Sequence, residues 1–257
     1  MFTSDDFVAI AAIDNESVLE ACLCLSPDIA SGRLPLVTIK GAVSMSSAYN
    51  CGLDRTDARI CLFVHQDVYL PRGWLDRAVD CLNRLTDVHP DWMVAGPYGV
   101  RPDGVHVGRV WDVTMGTELG TPGFAPAAVD SFDELLLILR RREGFRFDEA
   151  LPHFHLYGTD LVQTARDMGG GSWAIELPVV HNNRPIASLG GGYLKAYRYA
   201  RHKWRDRLPI QTTICALSRS PVPLWRARWR RRHTSERPDT LGADAVQVAR
   251  TAGYEQA

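Results

Sequence analysis

The strongest constraint on the fold of this chain is an apolar run, Ile60–Val64, that ends in the polar sequence His65-Gln66-Asp67. Five apolar residues without alternation have the length and pattern of a β-strand buried on both faces. Pro71 follows shortly after and prevents the strand from continuing. Ligands of open α/β sheets bind at the carboxyl ends of strands, so the sequence predicts a site here. A simple turn or helix-capping role for Asp67 is the alternative.

A similar alternation of apolar strands and helix starts occurs twice before this run. The sequence predicts strands at Phe7–Ile13 and Leu34–Lys40, a helix capped by Ser17, and a second helix at Ser44–Leu53. Strands separated by helices form parallel sheets with right-handed crossovers. We therefore expect an α/β fold with a mostly parallel central sheet flanked by helices. The glycine-rich motifs of dinucleotide sites and P-loops are absent, which argues against both.

The rest of the chain continues this pattern and then changes character. The predicted elements are a helix at Trp74–Asp87, strands at Trp92–Tyr98, Glu134–Arg140 and Trp173–Val180, a helix with Thr159 as its N-cap that ends at Met168, and a basic helix at Ala196–Arg207. Residues 99–125 are rich in glycine and proline and predict a hairpin with loops at the rim of the site. Residues 184–194 predict a flexible loop, and the last twenty or so residues a loose tail.

The composition is that of an ordinary globular protein and excludes few partners. Of the 257 residues, 46% are hydrophobic and 23% are charged, and the net charge of −1 favours no polyanionic partner. No apolar run reaches the roughly 20 residues that span a bilayer, and the start has no signal-peptide pattern. The six cysteines form no C-x-x-C pair, so we expect free thiols in a reducing cytoplasm.

Three polar residues stand at the ends of predicted elements and are the candidates for chemistry. Asp67 and His181 each follow a strand, and Asp160 lies in the first turn of a helix. Each has a simpler interpretation. The simpler role of Asp160 is to stabilise the N-terminal end of the helix through the helix dipole, an interaction worth about 0.3–1 kcal/mol. The simpler interpretation of His181 is an ordinary loop histidine. Their order along the chain is more informative than any one of them.

Two segments in that order resemble a known family. The sequences Phe63-Val-His-Gln-Asp-Val-Tyr69 and Tyr157-Gly-Thr-Asp-Leu161 resemble the inverting GT-A nucleotide-sugar glycosyltransferases of family 2. More narrowly, they resemble the glycosyltransferase-like proteins typified by a streptomycin-biosynthesis enzyme. The similarity covers residues 7–183. It implies a GT-A-like (Rossmann-like) domain over residues 1–194, followed by a basic helical extension and loose tail over residues 195–257.

The resemblance also implies roles for the candidate residues. Asp67 matches the last acid of the family's D-x-D motif, and His65 stands where the first acid would be. His181 matches a histidine that binds the same metal ion in many members. Asp160 matches the catalytic base.

A second group of residues is expected to contact the donor. Asp14 matches the position that contacts the nucleotide base or ribose, and Lys40 stands where the family often has an acid. His65, Gln66 and Asn50 complete this group.

The implied reaction transfers a sugar from a UDP- or GDP-sugar to an acceptor hydroxyl, with inversion at the anomeric carbon. The leaving diphosphate develops negative charge, which a divalent cation stabilises. Mg²⁺ and Mn²⁺ both bind carboxylates and phosphates, and a histidine ligand shifts the preference towards Mn²⁺. A carboxylate that accepts the acceptor's proton contributes roughly 10²–10⁴-fold in rate.

The basic segment that follows is interleaved with aromatic residues, and it leaves three interpretations open. Residues 195–233 contain many arginines and lysines, several tryptophans and tyrosines, and one acid, Asp206. An anionic membrane surface would suit such a segment, and the chain would then sit at the inner face of the membrane. A solvated helix, or arginines that grip the donor diphosphate, are the alternatives. No nucleic-acid-binding module is recognisable.

The sequence leaves two other functions open. A nucleotidyltransferase on a similar sheet would need a glycine-rich basic loop after the first strand, where this chain has Asp14-Asn-Glu-Ser17. A carbohydrate- or nucleotide-binding protein of the same fold without activity stays open, because His65 replaces the first acid of the metal motif.

Overall fold

The computed structural model of the chain describes residues 1–182, 189–232 and 243–255. The helices are α1 (Glu16–Ala21), α2 (Pro27–Ala30), α3 (Met45–Leu53), α4 (Trp74–Val88), α5 (Tyr157–Asp167), α6 (Gly191–Lys203), α7 (Val222–Arg232) and α8 (Ala245–Thr251). The strands are β1 (Phe7–Ile13), β2 (Leu36–Lys40), β3 (Ile60–Val64), β4 (Val68–Tyr69), β5 (Trp92–Gly96), β6 (Tyr98–Val100), β7 (His106–Asp112), β8 (Thr117–Gly120), β9 (Ala127–Ala128), β10 (Ser131–Phe132), β11 (Leu136–Arg140), β12 (Gly171–Ala174) and β13 (Val179–His181).

The main sheet confirms the predicted α/β class. Its strand order is β2-β1-β3-β11-β5-β12-β9. Strands β2, β1, β3, β5 and β12 run in one direction, whereas β11 and β9 run in the opposite direction. The sheet is therefore mostly parallel, and β11 is inserted antiparallel between β3 and β5. The N-terminal end of β11 consequently lies at the same edge as the carboxyl ends of its neighbours.

Strand β3 is buried on both faces, as its apolar run predicts. Cys61 and Phe63 contribute to one core cluster, and Ile60, Leu62 and Val64 contribute to the other. Both clusters are made of the helices and loops that cover the two sides of the main sheet. Because no side chain of β3 needs to face water, the sequence shows no polar alternation.

A second sheet lies beside the first and brings a distant strand to the site. Its order is β10-β6-β7-β13-β4, with β8 paired to β7. The hairpin predicted within residues 99–125 is present as β7 and β8. The single strand predicted at Trp173–Val180 is wrong, because β12 belongs to the main sheet and β13 to the second. Pro178 lies between the two strands, where it donates no hydrogen bond to either ladder.

Two predicted helix caps are also wrong. The N-cap of α1 is Asn15, whose side chain accepts a hydrogen bond from the amide of Val18, and Ser17 lies inside the helix. The N-cap of α5 is Leu156, in the left-handed region at φ 64°, and Thr159 lies within the helix. Leu156 makes no side-chain cap, so the free amides at the start of α5 need another acceptor.

The C-terminal part packs onto the domain more closely than the sequence indicates. Helix α6 begins at Gly191, before the predicted start at Ala196, and buries Tyr193, Tyr197 and Ala200 in the same core cluster as Phe63. The predicted boundary at residue 194 therefore falls inside a helix, and the division into two segments stays a prediction. The flexible loop predicted for residues 184–194 falls partly outside the described residues.

Residues 243–255 are not a loose tail. They contain α8, which buries Ala245 and Ala249 in a cluster with Val180 and Tyr69. Asp244 caps this helix through the amides of Val246 and Gln247. Among the helices of the described residues, none has the length and apolar character needed to cross a membrane.

Candidate functional site

A cleft of about 870 Å³ opens at the carboxyl ends of β1, β2 and β3. Of the residues predicted to contact a donor, Asp14, Lys40, His65 and Gln66 line this cleft, and so does the predicted metal ligand Asp67. These residues come from three separate strand ends. Parallel strands deliver their carboxyl ends to one edge, so the alternation of strands and helices along the chain accounts for their convergence.

Gln66 fixes the loop after β1 to the end of β3. Its Oε1 accepts hydrogen bonds from the amides of Asp14 and Asn15, both at 3.1 Å, and its Nε2 donates to the carboxylate of Asp14. On one side of the cleft, the side-chain amide of Gln66 holds the backbone of Asp14 and Asn15. On the other side, Lys40 and Glu16 form an ion pair close to solvent.

His65, Asp67 and His181 form a cluster beside this cleft. One ligand atom from each lies within 4.8 Å of the other two. Oδ1 of Asp67 is 3.6 Å from Nε2 of His181 and 4.0 Å from Nδ1 of His65. The antiparallel pairing of β13 with β4 sets His181 opposite Val68, and the amide of Asn182 donates to the carbonyl of Asp67 at 2.8 Å. The structure thus unites the two residues predicted to bind metal.

The sequence pattern assigned His65 only to donor binding, whereas the structure adds it to the residues that could hold a metal ion. His65 stands where the first acid of the D-x-D motif would be, and that spacing could have paired His65 with Asp67. The structure also indicates the tautomer of His65. The Tyr157 hydroxyl donates its proton to the carbonyl of Glu134 at 2.7 Å, so it must accept from Nε2 of His65 at 2.8 Å. Nδ1 of His65, which faces Asp67, is then the nitrogen with a free lone pair.

The charges within the cluster follow from burial and from mutual contact. Burial alone would raise the pKa of Asp67, but the nearby histidines outweigh it and hold that pKa well below its usual range. Burial alone would lower the pKa of His181, but the charge of Asp67 outweighs it and raises the pKa. Burial lowers the pKa of His65. Near neutral pH, Asp67 is thus an anion, His65 is neutral, and His181 carries a proton more readily than a free histidine.

The donor set fits a divalent cation. Oδ1 of Asp67 is buried and has no hydrogen-bond partner among the described residues. A buried carboxylate oxygen without a partner is costly unless a cation or water satisfies it. Two imidazoles and one carboxylate suit Mn²⁺ better than Mg²⁺, which prefers oxygen ligands only. His65, Asp67 and His181 are therefore the residues that would hold the ion.

The structure does not place Asp160 in the cleft or in the cluster. Asp160 is 2% exposed. Its Oδ2 accepts from Nζ of Lys203 at 2.9 Å, and its Oδ1 accepts from Nε1 of Trp204 at 2.8 Å. Lys203 also contacts Asp148 at 2.7 Å. Asp160 therefore links α5 to the C-terminal end of α6 through hydrogen bonds. Both of its oxygens are occupied, so neither is accessible to a substrate hydroxyl.

Asn50 is likewise remote from the donor cleft. Its Nδ2 donates to the carbonyl of Phe147 at 2.9 Å, and its Oδ1 accepts from the amide of the same residue at 3.0 Å. It is 3% exposed. Asn50 therefore satisfies the backbone of a loop packed on α3, and its contact with a donor stays a prediction.

Glu134 is a carboxylate near the cluster that the sequence pattern did not indicate, and its backbone carbonyl accepts from the Tyr157 hydroxyl, which also contacts His65. Glu134 precedes β11, so its position depends on the reversed direction of that strand. Oε1 of Glu134 accepts from the amide of Gly158 at 2.8 Å, which supplies the acceptor that the start of α5 lacks. A Cβ at Gly158 would lie 3.2 Å from Cγ of Glu134, so the approach is close. Burial raises the pKa of the Glu134 carboxyl group to about 8.

Comparisons with known proteins cover the part of the chain that contains the cleft. The model of the glycosyltransferase-like family matches residues 8–82, which extend from β1 into α4. A protein of Fuscovulum blasticum described as "ATP synthase subunits region ORF 6" is 31% identical over 176 residues, which are 65% of this chain and 68% of that protein.

Several solved structures are similar at low identity. GalNAc-T7 with UDP, GalNAc and Mn²⁺ has 12% identity and a TM-score of 0.48, over 88% of this chain and 54% of that one. The mannosyltransferase PcManGT from Pyrobaculum calidifontis, in complex with GDP-Man and Mn²⁺, has 13% identity and a TM-score of 0.47, over 96% of this chain and 73% of that one. TarS of S. aureus, in complex with UDP-GlcNAc, has 13% identity and a TM-score of 0.47, over 79% and 67%. This chain thus spans about half the length of the GalNAc-T7 chain.

The chain belongs to the glycosyltransferase-like family. The family predicted from the two sequence segments is thereby confirmed. Placement in the streptomycin-type subgroup stays a prediction.

Proposed function

We propose that this protein transfers a sugar from a nucleoside-diphosphate sugar to an acceptor hydroxyl, with a divalent cation bound by His65, Asp67 and His181. The observation that carries the proposal is the position of this cluster at the end of the 870 Å³ cleft. Family membership supports the reaction class. The UDP and GDP-Man complexes of the similar structures support a donor of this kind.

The cleft and the cluster have complementary tasks in this proposal. The nucleoside lies in the cleft between Asp14 and Lys40, and the diphosphate points towards Asp67. When bound, the cation neutralises the negative charge that develops on the departing diphosphate. The acceptor oxygen attacks the anomeric carbon, the bond from that carbon to the phosphate oxygen breaks, and the nucleoside diphosphate leaves with the electron pair. Attack opposite the leaving group inverts the anomeric centre.

The acceptor proton requires a base, and two carboxylates compete for this role. Asp160 is the base implied by the resemblance, but its oxygens are occupied by Lys203 and Trp204. Glu134 is partly exposed, and one of its oxygens, Oε1, accepts from the amide of Gly158. Its backbone carbonyl accepts from the Tyr157 hydroxyl, which also contacts Nε2 of His65. A base works best when its pKa is close to the working pH, and the raised pKa of Glu134 meets that condition. We therefore propose Glu134 as the base.

The proposal is tested by incubating the protein with a panel of UDP- and GDP-sugars, with Mn²⁺ or Mg²⁺, and by measuring released nucleoside diphosphate. We expect metal-dependent release from at least one donor, and loss of that release in a His65→Gln, Asp67→Asn double variant. Tight donor binding without release or transfer to any acceptor would instead indicate a binding protein. Release of pyrophosphate from a nucleoside triphosphate and a sugar phosphate would indicate a nucleotidyltransferase.

A further inference from the structure

Helix α7 presents an aromatic surface that faces away from the body of the protein. Leu224 and Ala227 pack against the core, whereas Val222, Trp225 and Trp229 are 43%, 67% and 57% exposed. At 100° per residue, the three exposed side chains occupy an arc about 60° wide, on the side of the helix roughly opposite to the packed pair. The other five tryptophans of the chain are buried or partly buried. These two are therefore exceptional.

Arginines border this arc on both sides. At the same helical spacing, Arg228 lies along one edge of the arc, and Arg226 and Arg230 lie along the other. All three are exposed. None of them has an ion pair with a carboxylate in the described ranges, 1–182, 189–232 and 243–255. The outer face of α7 thus combines a narrow aromatic stripe with free positive charge.

A second basic feature is a hollow whose lining includes Arg219, in the segment that leads into α7. It is about 570 Å³ in volume and is lined by the side chains Arg198, Arg201, His202, Arg205, Asp206, Leu208 and Arg219. Arg201 donates to the carbonyl of Arg219 at 2.7 Å, which ties α6 to the segment that leads into α7. Asp206 is the one acid between residues 195 and 232, although the whole chain has a net charge of −1. The remainder of the chain is therefore net negative, and the positive charge is concentrated in this part.

We propose that α7 and this basic hollow form a docking surface for an anionic lipid bilayer. Tryptophans favour the headgroup region, where the ring is partly shielded from water and the indole N–H still finds an acceptor. A surface helix with arginines beside its apolar face binds anionic headgroups through the same contact. In this arrangement Trp225 and Trp229 enter the interface, and Arg226, Arg228 and Arg230 contact lipid phosphates. The inference is independent of the proposed glycosyl transfer.

The test is co-sedimentation of the full chain with vesicles, at physiological ionic strength. Vesicles of phosphatidylcholine alone are compared with vesicles that also contain phosphatidylglycerol. We expect binding to the second kind and little to the first. Replacement of the three arginines (Arg226→Gln, Arg228→Gln, Arg230→Gln) should weaken binding roughly 100-fold, since each is worth about fivefold. The double variant Trp225→Ala, Trp229→Ala should weaken it at least about tenfold, through lost insertion of apolar area.

Matched controls distinguish an effect of this particular surface on vesicle binding from an effect of total charge. The triple variant Arg72→Gln, Arg84→Gln, Arg142→Gln removes the same charge from exposed positions elsewhere, and Met168→Ala removes an exposed apolar side chain. Both should bind vesicles like the unmodified chain. The proposal is overturned if these controls weaken binding equally, if neutral vesicles bind as well as anionic ones, or if no vesicle binds. Equal or tighter binding of single-stranded DNA or RNA, with the same loss in the α7 variants, would overturn it in favour of a nucleic-acid surface.

Discussion

The Nε2 atom of His181 lies 3.6 Å from Oδ1 of Asp67, although the two residues belong to distant parts of the chain. This separation exceeds that of a good hydrogen bond, and it is the kind of spacing that two ligands of one cation adopt. The pairing of β13 with β4 produces it, because that ladder sets His181 opposite the residue after Asp67.

His65 should act as the third ligand of the cation. We expect His65→Gln to weaken Mn²⁺ binding by at least the roughly 10- to 100-fold that loss of a supporting partner costs. Titration calorimetry with Mn²⁺ measures this directly. His106→Gln, which changes an exposed histidine on β7, is the control. Unchanged affinity in His65→Gln would limit the metal ligands to Asp67 and His181.

Binding of the cation should depend on pH through His181. An imidazole must lose its proton before it can bind metal, and contact with Asp67 raises the pKa of His181 above its usual value of 6.5. Mn²⁺ affinity should therefore increase as the pH rises through and above 6.5, by up to about tenfold per pH unit below that pKa. His181→Gln should remove most of this dependence. A pH-independent affinity between pH 6 and 8 would contradict the assignment.

Glu134 and Asp160 can be distinguished by comparing two isosteric variants. We expect Glu134→Gln to lower kcat by roughly 10²–10⁴-fold, because the acceptor hydroxyl loses its base. With saturating Mn²⁺, kcat/KM of the unmodified chain should rise as the pH increases through about 8, since Glu134 accepts a proton only when ionised. Asp160→Asn should instead keep most of kcat.

The same Asp160→Asn variant should be less stable. It removes the buried charge that Lys203 contacts, but Asp148 still pairs with that lysine and Trp204 keeps an oxygen acceptor. We therefore expect a loss of about 1–2 kcal/mol in the free energy of unfolding, measured by urea denaturation. A large loss of kcat with unchanged stability would return the role of base to Asp160.

Tyr157 should position His65 without contacting the cation. Its hydroxyl joins Nε2 of His65 to the carbonyl of Glu134. Tyr157→Phe should weaken Mn²⁺ binding about tenfold, because the tautomer and orientation of His65 are no longer fixed. It should also cost about 1–3 kcal/mol of stability by leaving a buried carbonyl unpaired. Full Mn²⁺ affinity with reduced stability would show that the contact is only structural.

Local pattern was sufficient for the elements that build the cleft. The apolar run of β3 and the polar residues after it predicted both the buried strand and the position of Asp67. Gln66 and Asp14 were assigned to donor binding by the family resemblance, and each lies just after the end of a parallel strand. These features need only the length and polarity of short segments, which the sequence states directly.

The direction of a strand and the identity of its neighbours in the sheet cannot be inferred from local sequence pattern. An apolar run such as β11 is the same in either orientation, so the sequence could not place Glu134 at the carboxyl edge of the sheet. The surroundings of Asp160 were not available from local pattern either. An acid in the first turn of a helix looks accessible in sequence, but α6 packs over it and supplies Lys203 and Trp204 as partners.

By itself, the sequence determined the α/β alternation, the buried central strand and the polar edge where a ligand binds, because each depends on residues close together in the chain. The tertiary structure decided which of the polar residues meet. The ladder between β13 and β4 places His181 next to Asp67, and the antiparallel direction of β11 places Glu134 at the same edge of the sheet. The packing of α6 covers Asp160 with Lys203 and Trp204. Such contacts arise from long-range pairing and burial, which no local spacing encodes.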